Sequence, residues 1–313
     1  MEISKQDILD AHERISGYIN KTPVLTSSFF DKQIGAELFF KCENFQKVGA
    51  FKSRGAVNAV FSLDENQIHN GVCTHSSGNH AQALARAATL RGIKSYIVMP
   101  DNSPKVKVEA VKAYGGEITF CEPILSSRES TLKKIMEKTG ATEIHPYNDY
   151  NVIAGQSTAC KELLEECSDL DFIIAPLGGG GLLSGTLLSA HFFGNNSKVI
   201  GAEPENAKDA FLSLKEGKIL PPFSPNSIAD GLLTSLGDKT FPIIQKYVDR
   251  ILTCPEDSIL PVLKMVYERM KIIIEPSSAV ALAVILLNPE IFRGKRVGVI
   301  FSGGNVDLSK IRF

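Results

Sequence analysis

The stretch D-F-I-I-A-P-L-G-G-G-G-L-L-S-G, Asp171 to Gly185, decides how this sequence is read. Residues 172–175 are a short, continuous apolar run, the pattern of a strand buried on both faces. It enters Gly178, Gly179, Gly180 and Gly181, and a helical segment follows at once. Without a Cβ, these positions allow close backbone approach and positive φ. Their N–H groups, with the start of the following helix, can cradle a phosphate.

The same strand-to-helix alternation extends in both directions from this stretch. Further strands are expected at 37–42, 71–75, 94–99, 118–121, 141–144, 198–202, 251–253 and 296–301. Helices are expected at 53–63, at 81–90, from Ser103 and Pro104 to about Gly115, around 130–138, and over 279–287. Residues 221–225 read as a Pro-rich surface loop. The pattern predicts an α/β protein of two domains with open, twisted, mostly parallel sheets. Ligands of such sheets bind at loops beyond the carboxyl ends of the strands.

Composition narrows the partners. Basic and acidic residues number 34 and 35, giving a formal charge of −1 over 313 residues. That balance argues against nucleic acid and against an anionic membrane surface, both of which call for a surplus of Lys and Arg. The longest apolar run, 279–287, is far too short to span a bilayer, which needs about 18 residues or more. The N-terminal M-E-I-S-K-Q-D lacks the apolar core of a signal peptide. The six cysteines form no C-x-x-C pair, the usage of reduced thiols in a cytoplasmic protein without structural zinc.

Two phosphate motifs compete for the glycine stretch, and both fail. A dinucleotide fingerprint would use Glu203, 22 residues after Gly181, but the third glycine position falls on Leu183 or Ser184. A Walker loop would need G-K-[ST], which is absent. A single phosphate monoester fits better. Three more segments follow strand ends. In E-N-F-Q-K-V-G-A-F-K-S-R-G-A, Glu43 to Ala56, Lys52 opens a helix. A helix N-terminus disfavours a cation, which lowers an amine's pKa and makes it a better nucleophile. In H-S-S-G-N-H-A-Q-A, His75 to Ala83, the run Ser76, Ser77, Gly78, Asn79 offers hydroxyls and helix N–H groups to a carboxylate; an ordinary N-cap fits as well. The fourth is V-I-F-S-G-G-N-V-D, Val299 to Asp307, with Ser302 at the strand exit.

Taken together and in this order, the four segments resemble the serine racemase and serine/threonine dehydratase family of fold type II, tryptophan synthase β-like, pyridoxal-phosphate enzymes. The resemblance runs from N-K-T-P at Asn20–Pro23 to S-G-G-N-V-D-L at Ser302–Leu308. It implies that Lys52 carries the pyridoxal 5'-phosphate and abstracts the α-proton, with Ser77 as second acid/base on the opposite face. Phe51 would pack beside the pyridine ring and Asn79 bond its hydroxyl. Gly178 to Gly181 with Leu182 would hold the phosphate, and Ser302 the ring nitrogen. Ser76, Ser77, Asn79 and His80 would receive the substrate, with Arg128 near its side chain.

The family further implies a large domain of residues 1–67 and 146–313, with a small domain of 68–145 closing over substrate. A divalent cation (Mg, Mn or Ca) is expected at Glu203, the Ala207 carbonyl and Asp209; on the residues alone this is a solvated acidic turn. Lys47, Lys107, Tyr114, Lys271 and Asn305 match the ATP site at the dimer interface of some serine racemases, while Val48 and the loop around Ser103 depart from it. The expected activity is elimination of L-serine to pyruvate or of L-threonine to 2-oxobutyrate, with serine racemisation, in a cytoplasmic homodimer. The motifs leave open a 3-hydroxyaspartate dehydratase or a predominant racemase; Tyr147 and Thr234 look less like mammalian racemases. No isoleucine-binding regulatory domain is expected.

Overall fold

The computed structural model describes residues 3–76, 78–103, 105–221, 225–309, 311 and 313. Its ten strands are β1 Val24–Leu25, β2 Glu37–Cys42, β3 Val72–His75, β4 Ser95–Pro100, β5 Glu117–Cys121, β6 Thr142–Glu143, β7 Phe172–Pro176, β8 Lys198–Pro204, β9 Arg250–Cys254 and β10 Arg296–Phe301. Two sheets form, β1-β2-β10-β7-β8-β9 and β5-β4-β3-β6. Every neighbouring pair is parallel except β1 with β2. The four-stranded sheet uses only residues between 72 and 143 and sits as an insertion between β2 and β7.

The apolar runs explain this layout. β7 is buried along its whole length, because helices cover both faces of its sheet. On one face lies helix Pro276–Leu287, apolar all round, whose residues 276–285 are all buried. Truncating Leu282 or Ile285 there would cost about 2–5 kcal/mol. On the other face lie helices Tyr150–Glu166 and Gly181–Phe193.

Two elements depart from the sequence reading. β1 pairs antiparallel at the sheet edge; its two residues are too short to show a period. β5 is an edge strand with Phe120 half exposed, so it is not covered on both faces. The expected helix opening at Pro104, and part of the loop at Pro222, Phe223 and Ser224, lie outside the described residues.

Beneath the loops that follow β2 and β7 sits a quartet of fully buried charges. Arg54 bonds Glu43 through Nε to Oε2 and Glu162 through Nη1 to Oε1, each at 2.7 Å. Lys41 Nζ reaches Glu162 Oε2 at 2.7 Å. Thr22 supplies its hydroxyl to Glu43 and its carbonyl to Lys41. Two cations and two anions balance, as buried charges must. Arg54 lies two residues after Lys52, so the quartet pins helix Lys52–Ser62 against helix Tyr150–Glu166.

Candidate active site

A cavity of about 660 Å³ opens where the loops after β2, β3, β7 and β10 converge. That is the size of a small-molecule site. Helices Lys52–Ser62, Asn79–Arg91 and Gly181–Phe193 begin on its wall, as do Leu125–Thr139 and Pro276–Leu287, and none has a side-chain N-cap bond. The leading N–H groups of an uncapped helix lack intrahelical partners and suit an anion. Such helix ends offer the cavity N–H groups suited to an anion, alongside Lys52, Lys107 and Arg128 on its wall.

Lys52 is the first residue of its helix, with the Phe51 ring centroid 5.0 Å from its Nζ. Nζ donates to the Pro146 carbonyl at 2.6 Å. Burial lowers the Lys52 pKa from 10.5 to about 8, against an opposing pull from Glu275. The expected depression is present, but desolvation rather than the helix terminus is its main cause.

Gly178, Gly179, Gly180 and Gly181 all face the cavity, with Leu182 beside them. Gly180 has φ +87°, a conformation L-residues avoid. A Cβ on Gly178 would stand 2.9 Å from the Leu232 Cα, and one on Gly179 would run into the Tyr147 ring. Close packing of the protein itself therefore requires two of these glycines, as well as any ligand.

Ser302 leaves β10 into the cavity, and its hydroxyl lies 3.0 Å from that of Ser278. Asn79 donates through Nδ2 to both carboxylate oxygens of Glu275, at 3.0 and 3.1 Å. Its Oδ1 accepts from Asn305 Nδ2 at 2.9 Å, which also reaches the Val48 carbonyl at 2.6 Å. Burial, then Asp230, push the Glu275 carboxyl up to about 7, against Asn79, Lys107 and Asn305. Glu275 and Ser278 escaped the sequence reading. Their only signal is E-P-S-S, an acid and two hydroxyls around a Pro that starts a helix.

The opposite wall carries Ser76, His80, His75 and Arg128. His80 Nε2 donates to the Ile144 carbonyl at 2.9 Å, and burial holds the ring neutral with a pKa of about 3. Only its Nδ1 remains, buried and unbonded. His75 Nδ1 is likewise buried without a partner, and burial and the Arg128 charge lower its pKa. Arg128 Nε is buried without a hydrogen bond. Lys107 is ion-paired with Asp230, joining helix Lys105–Ala113 beside the four-stranded sheet to the turn Asp230–Leu232. Ser77 lies outside the described residues.

Residues 15–303 match the family described as pyridoxal-phosphate dependent enzyme. The chain belongs to that family. It is 52% identical to a beta-hydroxyaspartate dehydratase of Paracoccus denitrificans, covering 98% of this chain and 97% of the relative. It is 51% identical to the crystal structure of serine racemase from Dictyostelium discoideum, with TM-score 0.93 and coverage of 98% and 99%. The processed form of threonine deaminase isoform 2 from Solanum lycopersicum has 30% identity, TM-score 0.91 and coverage of 98% and 92%. The expected fold class, fold type II with mostly parallel sheets, and the expected cofactor class therefore hold.

The pyridoxal-phosphate family assignment suits the cavity. A phosphate monoester matches the uncapped glycine helix, and an aldehyde matches an amine with pKa about 8. The expected metal residues are clustered but turned inward. Glu203 accepts from the Ala210 and Phe211 N–H groups at 3.1 and 2.8 Å. Asp209 Oδ2 is buried with no partner, and burial raises its carboxyl to about 6. Among the described residues no group of three or more His, Cys, Asp or Glu is poised for a metal.

Of the nucleotide residues, Lys107 and Asn305 line a second cavity of about 470 Å³. Lys47 is exposed, Tyr114 accepts from Thr89 Oγ1 through its carbonyl, and Lys271 Nζ bonds the Glu268 carbonyl. Among the described residues no helix is long and apolar enough to cross a membrane.

Proposed function

We propose that this family member is an ammonia-lyase acting on L-serine and L-threonine, with serine racemase activity. The observation that carries the reading is the Lys52 amine, depressed by burial, on a wall where its own helix and the helix entered from the glycine loop begin uncapped. Bound at Lys52, the cofactor supplies the electron sink for carbanion chemistry. Displaced from the cofactor by the substrate amine, Lys52 would take the α-proton and could return it to the departing β-hydroxyl, which leaves as water; addition of water to the dehydrated amino acid yields the oxoacid and ammonia. Gly178 to Gly181 and Leu182 hold the phosphate, Ser302 the ring nitrogen, Phe51 and Asn79 the ring. Ser76, Asn79 and His80 receive the substrate carboxylate. Ser77 exchanges the proton on the far face, which permits inversion.

Residues 68–145 act as a small domain over substrate, against 1–67 and 146–313; the Lys107–Asp230 pair supports that reading. The unpaired Asp209 oxygen supports a divalent cation, Mg, Mn or Ca, with Glu203 and the Ala207 carbonyl. Lys107 and Asn305 in the second cavity support ATP as an effector there. Exposed Val106 and Ile228 on that cavity support a homodimer, and six unpaired cysteines support a cytoplasmic home.

A second reading, dehydration of 3-hydroxyaspartate, rests on Arg128 and His75. Their unbonded nitrogens on the substrate wall suit a second carboxylate. One panel tests both: L-serine, D-serine, L-threonine and both 3-hydroxyaspartates, scored for oxoacid and inverted amino acid. Lys52→Ala is expected to lose all activity and the borohydride-trapped cofactor adduct; a retained adduct refutes the assignment. Ser77→Ala is expected to lose inversion far more than elimination. Arg128→Ala is expected to lose about 100-fold in kcat/KM on 3-hydroxyaspartate with little change on L-serine if the second reading holds.

A further inference from the structure

A loop of glycines can offer an anion its N–H groups only if its peptides face the right way. We propose that Thr240 sets the facing of the Gly179–Gly180 peptide: its hydroxyl holds the Gly179 carbonyl behind the loop and so turns the Gly180 N–H toward the bound phosphate. Thr240 is then a positioning residue, and the inference rests on the reading that this loop holds the phosphate.

The peptide needs such a holder. Gly180 has φ +87° and ψ −5°, the dihedrals of the third residue of a type II turn. A type I turn differs by turning over the peptide that precedes this residue. That rotation would carry φ at Gly180 from +87° to about −93° (87 − 180), which any residue adopts. With glycine on both sides, no Cβ opposes it. The two facings are chemically opposite. One presents an N–H to the cavity and suits an anion; the other presents a carbonyl oxygen and repels it.

Thr240 is the first residue of helix Thr240–Tyr247 and is fully buried behind the loop, where a Cβ on Gly180 would meet the Thr240 Cβ at 2.9 Å. Its Oγ1 accepts the Gly237 N–H at 2.9 Å. The single hydroxyl proton has two acceptors in reach, the Gly179 carbonyl at 3.0 Å and the Gly237 carbonyl at 3.2 Å. The Gly237 carbonyl also takes the Phe241 N–H at 2.9 Å, whereas among the described residues the Gly179 carbonyl has no other partner. The proton therefore belongs to Gly179. In a trans peptide the C=O and N–H point opposite ways, so a carbonyl drawn back to Thr240 sends the Gly180 N–H forward.

Loss of the hydroxyl would reverse the choice. The Gly179 and Gly237 carbonyl oxygens would then face one another with no proton between them. Turning the peptide over replaces one of them by the Gly180 N–H, which the Gly237 carbonyl can accept. The loop that carries Thr240 is itself fixed near Lys52. Asn148 accepts the Lys239 N–H at 2.9 Å and donates to Asp238 at 2.7 Å, two residues after the Pro146 carbonyl that takes Lys52 Nζ.

The test compares the Kd of the apoprotein for pyridoxal phosphate and for pyridoxal, which keeps the aldehyde and lacks the phosphate, by absorbance of the lysine adduct. The wild type is expected to prefer pyridoxal phosphate. Thr240→Val, similar in shape and without the donor, is expected to bind pyridoxal phosphate about ten-fold more weakly and pyridoxal within about two-fold of the wild type. Thr240→Ser, which keeps the hydroxyl, is expected to keep the wild-type preference. A merely structural role would weaken both ligands alike. If Thr240→Val does not fold, Thr240→Ala carries the same expectation. An undiminished preference for pyridoxal phosphate in the Val or Ala variant, or an equal loss on both ligands, overturns the proposal. A wild type that does not distinguish the two ligands would instead overturn the reading of the glycine loop, so the two failures are distinct.

Discussion

Lys52 shows how one side chain is tuned by its surroundings. Its helix position was legible in F-K-S-R-G-A, and the sign of the pKa shift followed from it. The cause was not legible, because burial depends on Pro146 and Glu275, 94 and 223 residues away (146 − 52 and 275 − 52). A depressed lysine is neutral in the folded protein and still charged in the unfolded chain between about 8 and 10.5. Stability due to this group therefore rises with pH across that window, and the nucleophilic form accumulates above its lower edge. Capture of pyridoxal phosphate by the apoprotein is expected to accelerate with pH about a midpoint near 8. Stopped-flow absorbance would measure it, and a midpoint near the ordinary lysine value would show that the burial is not felt. Glu275→Gln is expected to move the midpoint lower, since Glu275 is the charge that raises it.

Among the elements, apolar strands and the helices that follow them were readable because each is a local pattern: 172–175 and 296–301 appear as continuous runs and form β7 and β10. The glycine loop, Lys52, Asn79 and Ser302 were readable for the same reason, as turns after those runs. What escaped is what long-range pairing creates. Nothing near Arg54 in the sequence announces that Glu43, Glu162 and Lys41 meet it out of water. Charge-assisted bonds from Arg54 hold the Glu162 carboxyl below its ordinary value although burial alone would raise it. Arg54→Met is expected to cost about 3–5 kcal/mol, because it strands the buried Glu43 carboxylate and leaves Glu162 to Lys41 alone. Urea denaturation would measure the loss. Replacing all four charges by apolar residues of similar volume is expected to recover most of it, the signature of stranded charge rather than lost packing.

For the whole molecule, the two sheets meet around the cavity, and the parts built on them share an apolar cluster in which Val57 and Val60 pack with Ala81, Leu84 and Ile97, with polar contacts crossing beside it. Lys107 with Asp230 and Asn79 with Glu275 join the part built on the four-stranded sheet to the part built on the six-stranded one. The Asp209 oxygen left without a partner sits on the larger part, close behind β8. If a divalent cation occupies that corner, saturating Mg²⁺ is expected to raise the Tm by about 2–5 °C, with EDTA reversing it. Asp209→Asn is expected to abolish the response, as differential scanning fluorimetry would show.

The glycine wall has one more consequence. On that side the cavity is bounded by backbone, and Leu232 and Tyr147 already fill the space where new side chains would grow. The facing wall is made of replaceable tips: Ile124, Leu125, Arg128 and His75. Mutation can therefore reshape the receptacle from one direction only. A lineage drifting toward a new amino acid would keep its anchor and vary its lip, so one scaffold can be handed from substrate to substrate without being rebuilt.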